Sequence, residues 1–219
     1  SSAAPTPTGS VDDDLKKLQS RTPVGQAELF AVAYGGEFRF NHFRQMWLHY
    51  ESPCWRPDAD KAVYRAATEF VRAQQRAAMD LSDRTERVET VQFTIRAESS
   101  ASLKNLVDCA TWNQVFADRG EHWDEDPWSL AVMNGVVDLR TGLLREGSPT
   151  DRITLKASVP YEKTATCERW WQFLAEIFGA DDELIEFIWR LAGYIISGQT
   201  TERIVPMLYG RGANGKSVF

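Results

Sequence analysis

The sequence has few cysteines, no long apolar run and no surplus of positive charge. Cys54, Cys109 and Cys167 are far apart and odd in number, and no pair stands at zinc-ligand spacing. That argues against a disulfide framework and points to reduced, mostly packed thiols in a cytoplasmic setting. No apolar stretch approaches the ~18 residues of a membrane span, and nothing resembles a secretory signal. A net charge of −6 argues against a general nucleic-acid surface, which is normally basic. No repeat and no Ser/His/Asp arrangement is visible, and His42 and His49 are isolated. What is present is a 219-residue chain, 43% hydrophobic and 26% charged, the balance of a soluble globular protein that buries a core.

Residues 1–26, "SSAAPTPTGSVDDDLKKLQSRTPVGQ", are rich in Ser, Pro, Thr and Gly and poor in large apolar side chains. Such a segment does not offset the entropy of ordering, so a disordered linker is expected, with the acidic run solvated and structure starting near Ala27. Ser1 in place of Met, and Phe219 in the middle of a motif, are expected to be cut points in a longer chain.

The aromatic-rich stretch 37–58, interrupted by "ESP", predicts two or three short strands in a hairpin or meander. Residues 58–81 place Val63, Ala66, Ala67, Phe70 and Val71 at helical spacing, with Asp58 or Asp60 as N-cap. Residues 84–97 are ambiguous. Residues 99–116 read as a helix capped by Ser99 or Ser100, with Leu103, Leu106, Val107 and Ala110 on one face.

In 129–146 the pairs Asn134-Gly135 and Thr141-Gly142 predict tight hairpin turns, with Asp138 bracing the hairpin after Asn134-Gly135, a folding role. Residues 153–161 continue in strand-like composition. Helices are expected over 167–179, ending at Gly179, and over 181–198. The second starts at Asp181 and Asp182 and carries Leu184, Ile185, Ile188, Leu191, Ala192 and Ile195 on one stripe. The fold class is therefore α+β: small β-hairpins or a meander, with amphipathic helices.

Several features invite sharper readings. Of the eight tryptophans, Trp47, Trp55, Trp170, Trp171 and Trp189 lie in strand or helix patterns, where core packing is expected over base stacking. Trp170 and Trp171 are adjacent, cannot share one helix face, and so leave one ring to meet a neighbouring subunit. His122, Asp124, Glu125 and Asp126 suggest a metal site, but Asp before Pro reads as a turn. Arg203 reads as a surface charge.

The sharpest motif is "GRGANGKS", which satisfies G-x-x-x-x-G-K-[ST] across Gly210, Arg211, Gly212, Ala213, Asn214, Gly215, Lys216 and Ser217. Backbone N–H groups must point at phosphate oxygens, so side chains that crowd the ligand are excluded. Lys216 is the catalytic candidate, its ammonium facing the β- and γ-phosphates of ATP, and Ser217 offers a hydroxyl to Mg²⁺. The preceding "IVPMLY" is of buried-strand type, where such a loop must start, with Pro206 a mild objection.

From about Ala27 to Phe219 the sequence resembles the N-terminal region of phage- and plasmid-type primase–helicases, whose motor is a superfamily III DNA helicase. The segments that carry the resemblance are "MWLHYESPCWRPD" (46–58), "DEDPWSLAVMNGVVDLRTGLLRE" (124–146) and "RLAGYIISGQTTERIVPMLYGRGANGKSVF" (190–219). The resemblance implies an accessory domain over 27–165 and a helical collar over 166–202. It implies that 203–219 form the truncated first strand and P-loop of an AAA+-type ATPase. It also implies Mg-ATP, a homo-oligomeric ring (usually a hexamer), movement on single-stranded DNA during duplex unwinding, and often an upstream primase. The remaining catalytic residues and the DNA contacts would lie beyond Phe219. Two other readings stay open: a non-catalytic module that oligomerises or recruits a primase, and another P-loop NTPase.

Overall fold

The computed structural model describes Lys17 and residues 19–179 and 181–209. They fall into two compact units: the chain up to Glu51 with Trp55–Trp123, and Ser52–Cys54 with Asp124 onward. The division comes after Trp123, inside the 27–165 span that the resemblance implies is one accessory domain.

Lys17, Gln19 and Ser20 are already helical, and helix α1 (Pro23–Tyr34) begins four residues ahead of the expected start. Thr-Pro-Val-Gly, which reads as linker composition, is here a helix start. The Thr22 hydroxyl accepts from the Gly25 N–H at 3.1 Å, and Pro23 holds the first helical position. Strands β1 (Phe38–Asn41), β2 (Met46–Glu51) and β3 (Cys54–Pro57) form the expected meander. They extend to a four-stranded sheet, in the order β3-β2-β1-β4, by adding the short β4 (Ala117–Asp118). The β1–β2 pairing is antiparallel, from Phe38 opposite His49 to Asn41 opposite Met46. The β1–β4 pairing is parallel, Asn41 opposite Asp118.

Helices α2 (Ala62–Met79), α3 (Arg84–Ala97) and α4 (Ser100–Ala110) complete this unit. Its core joins Phe30 of α1, Phe38, Val63, Phe70 and Val71 of α2, Leu106 and Val107 of α4, and Phe116. The Phe30 ring lies 5.5 Å from Phe70 and 5.4 Å from Phe116, within the range where tilted and edge contacts are favourable. The ambiguous 84–97 is a helix capped by Asp83, whose carboxylate accepts from the Glu86 N–H at 2.7 Å. Val88, Val91, Phe93 and Ile95 mix spacings of three and two, and only Thr94 is buried, so no stripe marked it. Helix α4 has its cap at Ser99 and stops at Ala110, where 111–116 turn toward β4.

The second unit holds a three-stranded antiparallel sheet, β5 (Ser129–Val132), β6 (Gly135–Asp138) and β7 (Leu143–Arg145), with a 3₁₀ turn at Pro149–Asp151. Val132 pairs with Gly135, so the first turn is Met133–Asn134, one residue earlier than expected. Residues 157–161 are not a sheet strand. They run along the open edge of β5, with the Ala157 N–H on the Ala131 carbonyl and the Met133 N–H on that of Val159. Pro160 has no N–H with which to continue a ladder.

Helices α5 (Glu168–Phe178) and α6 (Asp182–Ile196) match their expected spans. Gly179 closes α5 at φ +65°, and Asp181 caps α6 through the Leu184 N–H at 3.1 Å. Leu174, Ile188 and Leu191 are buried, but Leu184 and Ile195 of the expected stripe are exposed. The α+β class stands. Among the described residues no helix is long and apolar enough to cross a membrane.

Candidate functional site

The phosphate-loop residues Gly210, Arg211, Gly212, Ala213, Asn214, Gly215, Lys216 and Ser217 lie outside the described residues. Their lead-in is described as far as Tyr209. Residues 203–209 form no strand and are exposed, Val205 and Met207 by 83% each, contrary to the buried strand that "IVPMLY" predicts. A strand requires a neighbour for its N–H and C=O groups, and among the described residues 203–209 pair with none.

The meander of the second unit is where the sequence concentrates precise geometry. Asn134 acts as a side-chain extension of the sheet: its Nδ2 donates to the Tyr161 carbonyl at 3.0 Å and its Oδ1 accepts from the Tyr161 N–H at 2.9 Å. The Tyr161 hydroxyl in turn donates to the Gly142 carbonyl at 2.8 Å. Asp138 braces the turn that follows Asn134-Gly135 in the chain, with Oδ1 accepting from Arg140 N at 2.8 Å and Thr141 N at 3.3 Å. The Arg140 guanidinium lies 4.9 Å from the centre of the Trp128 ring. Every polar member of the Asn-Gly…Asp…Thr-Gly pattern is thus committed to holding backbone. Its role is folding.

Beside it, Asp151 and Arg145 form a two-toothed ion pair at 2.8 and 2.9 Å. Burial pushes the Asp151 carboxyl up, but the Arg145 bonds and the Ser148 N–H outweigh it and leave it below its ordinary value. In the reverse sense the bonds from Asp151 hold Arg145 above its own.

The His122–Asp126 cluster is built of turns. His122 and Asp124 sit at φ +60° and +56°, and Asp124 accepts from the Thr154 N–H at 2.6 Å. Asp126 accepts from Trp128 N at 3.2 Å and Ser129 Oγ at 2.6 Å. These carboxylates are occupied by backbone and hydroxyl donors.

The tryptophans divide. Trp55 is buried and Trp47 packs against the first core, as expected. Trp189, expected in the core, is 51% exposed; Trp171, 46% exposed, is the ring of the adjacent pair left off the inner face, and the two lie against each other at 5.0 Å between ring centres. Two facing helices supply only one inner stripe, already filled by Leu174, Ile188 and Leu191.

The first unit has a cavity of about 120 Å³ lined by Arg21, Gln26, Phe93, Arg96, Asn105 and Leu106 among others. Gln26 is 6% exposed; its amide donates to the Ser20 carbonyl at 2.6 Å, while its buried Oε1 has no partner among the described residues. Among the described residues the lining includes no carboxylate, thiol or imidazole, so its one hydroxyl, on Ser102, has no base beside it to activate it.

Comparison with known proteins supplies what the described geometry does not. A helicase-named protein of Invertebrate iridescent virus 6 is 34% identical over 100 residues, 43% of this chain and 10% of the relative. One from Acanthamoeba polyphaga mimivirus is 36% identical over 98 residues, again 43% of this chain and 10% of the relative. A third, from Invertebrate iridescent virus 3, is 29% identical over 112 residues, 49% of this chain and 12% of its own length. The chain therefore spans about a tenth of the length of these relatives. Residues 27–179 match the family described as D5 N terminal like. With most of its length matched, and in keeping with its resemblance to the N-terminal region of primase–helicases, the chain belongs to the D5 N terminal like family.

Proposed function

We propose that this chain is the N-terminal region of an ATP-dependent DNA helicase of a phage, plasmid or other mobile element. Its glycine-rich loop would bind Mg-ATP in the intact enzyme. The observation that carries the reading is one of order along the chain. A D5 N terminal like region over 27–179 is followed by helix α6 and then by Gly210-Arg211-Gly212-Ala213-Asn214-Gly215-Lys216-Ser217. In this reading the loop's N–H groups cradle the phosphates, Lys216 neutralises charge on the β- and γ-phosphates, and Ser217 ligates Mg²⁺. Hydrolysis drives strand separation by a homo-oligomeric ring, with a primase as a further partner. The half-exposed Trp171–Trp189 pair favours a second, compatible reading in which α5 and α6 serve assembly.

The test is Lys216→Ala in the longer protein. ATP turnover and unwinding are expected to fall at least a hundredfold, on the order of the loss of a main charge-stabilising group, with the thermal melt unchanged. Turnover within a few-fold of the parent, in a folded variant, would remove Lys216 and this reading.

A further inference from the structure

The hairpin joining β1 to β2 ends in His42-Phe43-Arg44-Gln45, all exposed, with Phe43 83% accessible. A phenylalanine this open on a hairpin tip gives up most of the stabilisation its burial would bring. The tip is held in one shape. Asn41, itself 3% exposed, accepts from the Arg44 N–H at 2.9 Å, and the Gln45 amide donates to the His42 carbonyl at 2.6 Å. The His42 ring is bonded through Nε2 to the Thr111 carbonyl at 2.9 Å, which ties the tip to the turn that carries Trp112, 62% exposed.

The parallel β1–β4 register brings a third segment to the same place. With Asn41 opposite Asp118, residues 119 and 120 continue beside His42 and Phe43. Gly120 confirms the approach: at φ +89°, a Cβ there would lie 2.9 Å from the Phe43 Cβ and 2.8 Å from Asn41 Oδ1. Arg44 and Arg119 are exposed, and among the described residues neither guanidinium has an ion-pair or hydrogen-bond partner. The acidic residue within this frame, Asp118, is 7% exposed and accepts from Gly120 N at 2.7 Å and Trp123 Nε1 at 2.9 Å.

Two open rings and two unpartnered guanidiniums, on three segments fastened to one another, match what an unpaired polynucleotide offers. Bases have apolar faces that stack on rings, and phosphates recur along the strand for the arginines. An acidic or purely apolar protein partner would use only half of this surface. A duplex keeps its base faces stacked inside. We infer that the β1–β2 tip, with Phe43, Arg44, Trp112 and Arg119, is a docking surface for single-stranded DNA. The inference rests on the proposed function for the choice of DNA over RNA; the stacking-and-charge chemistry itself does not.

The experiment is fluorescence anisotropy of a labelled oligothymidylate titrated with the intact chain, with no nucleotide added. Phe43→Ala is expected to weaken binding about tenfold, the effect of losing one stacked base. Arg44→Gln should lower the slope of log affinity against log salt by roughly 0.7, one phosphate contact on a single strand. Trp112 emission should fall on binding. Phe43 packs on little, so its variant should keep the parent melting temperature. Equal affinity of Phe43→Ala and parent, or tighter binding to duplex than to single strand, overturns the inference. So does a preference for an oligouridylate over the DNA strand, and so does displacement by heparin with no effect of Phe43→Ala. Because no ATP is used, failure here leaves the Lys216 test standing, and failure there leaves this one standing.

Discussion

At the scale of single residues, the Asn-Gly pair that marks the second unit is explained by its glycine. Gly135 has φ +149°, and a Cβ there would stand 2.3 Å from the Arg145 carbonyl oxygen, a backbone atom that moves only if β6 and β7 part. Gly135→Ala is therefore expected to cost about 3 kcal/mol or more, combining backbone strain with a disrupted ladder. Gly193, inside α6, is the contrast: a Cβ there meets nothing within 4 Å among the described residues. Gly193→Ala should stabilise by about 1 kcal/mol, the helix-propensity difference. Urea unfolding of both variants checks the pair, and a neutral Gly135→Ala would mean that β6 does not pass β7 so closely. From sequence, Asn134-Gly135 was legible as a turn signal. That the glycine serves strand contact, and the asparagine reaches Tyr161, depends on partners distant in the chain.

At the scale of elements, the start of α2 shows which parts of a pattern can be read in advance. Both Asp58 and Asp60 suit an N-cap by type and position. The residue at the boundary is Lys61, at φ +62° and without a capping side chain. Asp58 reaches across instead, with Oδ1 accepting from Ala62 N at 2.6 Å and Oδ2 from Val63 N at 3.0 Å. Asp60 turns to Arg65 at 2.8 Å, a pair whose side chains are 73% and 61% exposed. Loss of a cap typically costs about 1 kcal/mol, and an exposed ion pair contributes between about 0 and 1. Asp58→Ala should thus lower the thermal midpoint by several degrees, and Asp60→Ala by one degree or less; equal shifts would reverse the assignment. Helices with a stripe and a cap, α2, α4 and α6, were legible for this reason. Helix α3 buries one residue and so wrote no stripe into the sequence.

At the scale of the whole molecule, the proposed phosphate loop was legible as a motif because its residue types follow from the ligand, whereas the β1–β2 tip was not. Phe43 and Arg44 stand next to each other in sequence, but Trp112 and Arg119 join them only through the His42–Thr111 bond and the β1–β4 register. Tertiary placement also decides the fate of α5 and α6. Trp171, Phe187, Trp189, Ile195 and Ile196 are between 46% and 60% exposed, a large apolar share for two helices. Burying the exposed halves of five such side chains on each of two copies would supply roughly 8–15 kcal/mol. Fixing two copies together costs about 4–15 kcal/mol, so these helices alone come close to break-even. The chain is therefore expected to sediment as a monomer at micromolar concentration and to enhance the fluorescence of an apolar dye. Trp189→Lys should reduce that enhancement with little change in melting temperature, since the ring is half open to water. A stable ring of this chain at micromolar concentration, or dye fluorescence unaffected by Trp189→Lys, would assign assembly to a surface other than α5 and α6.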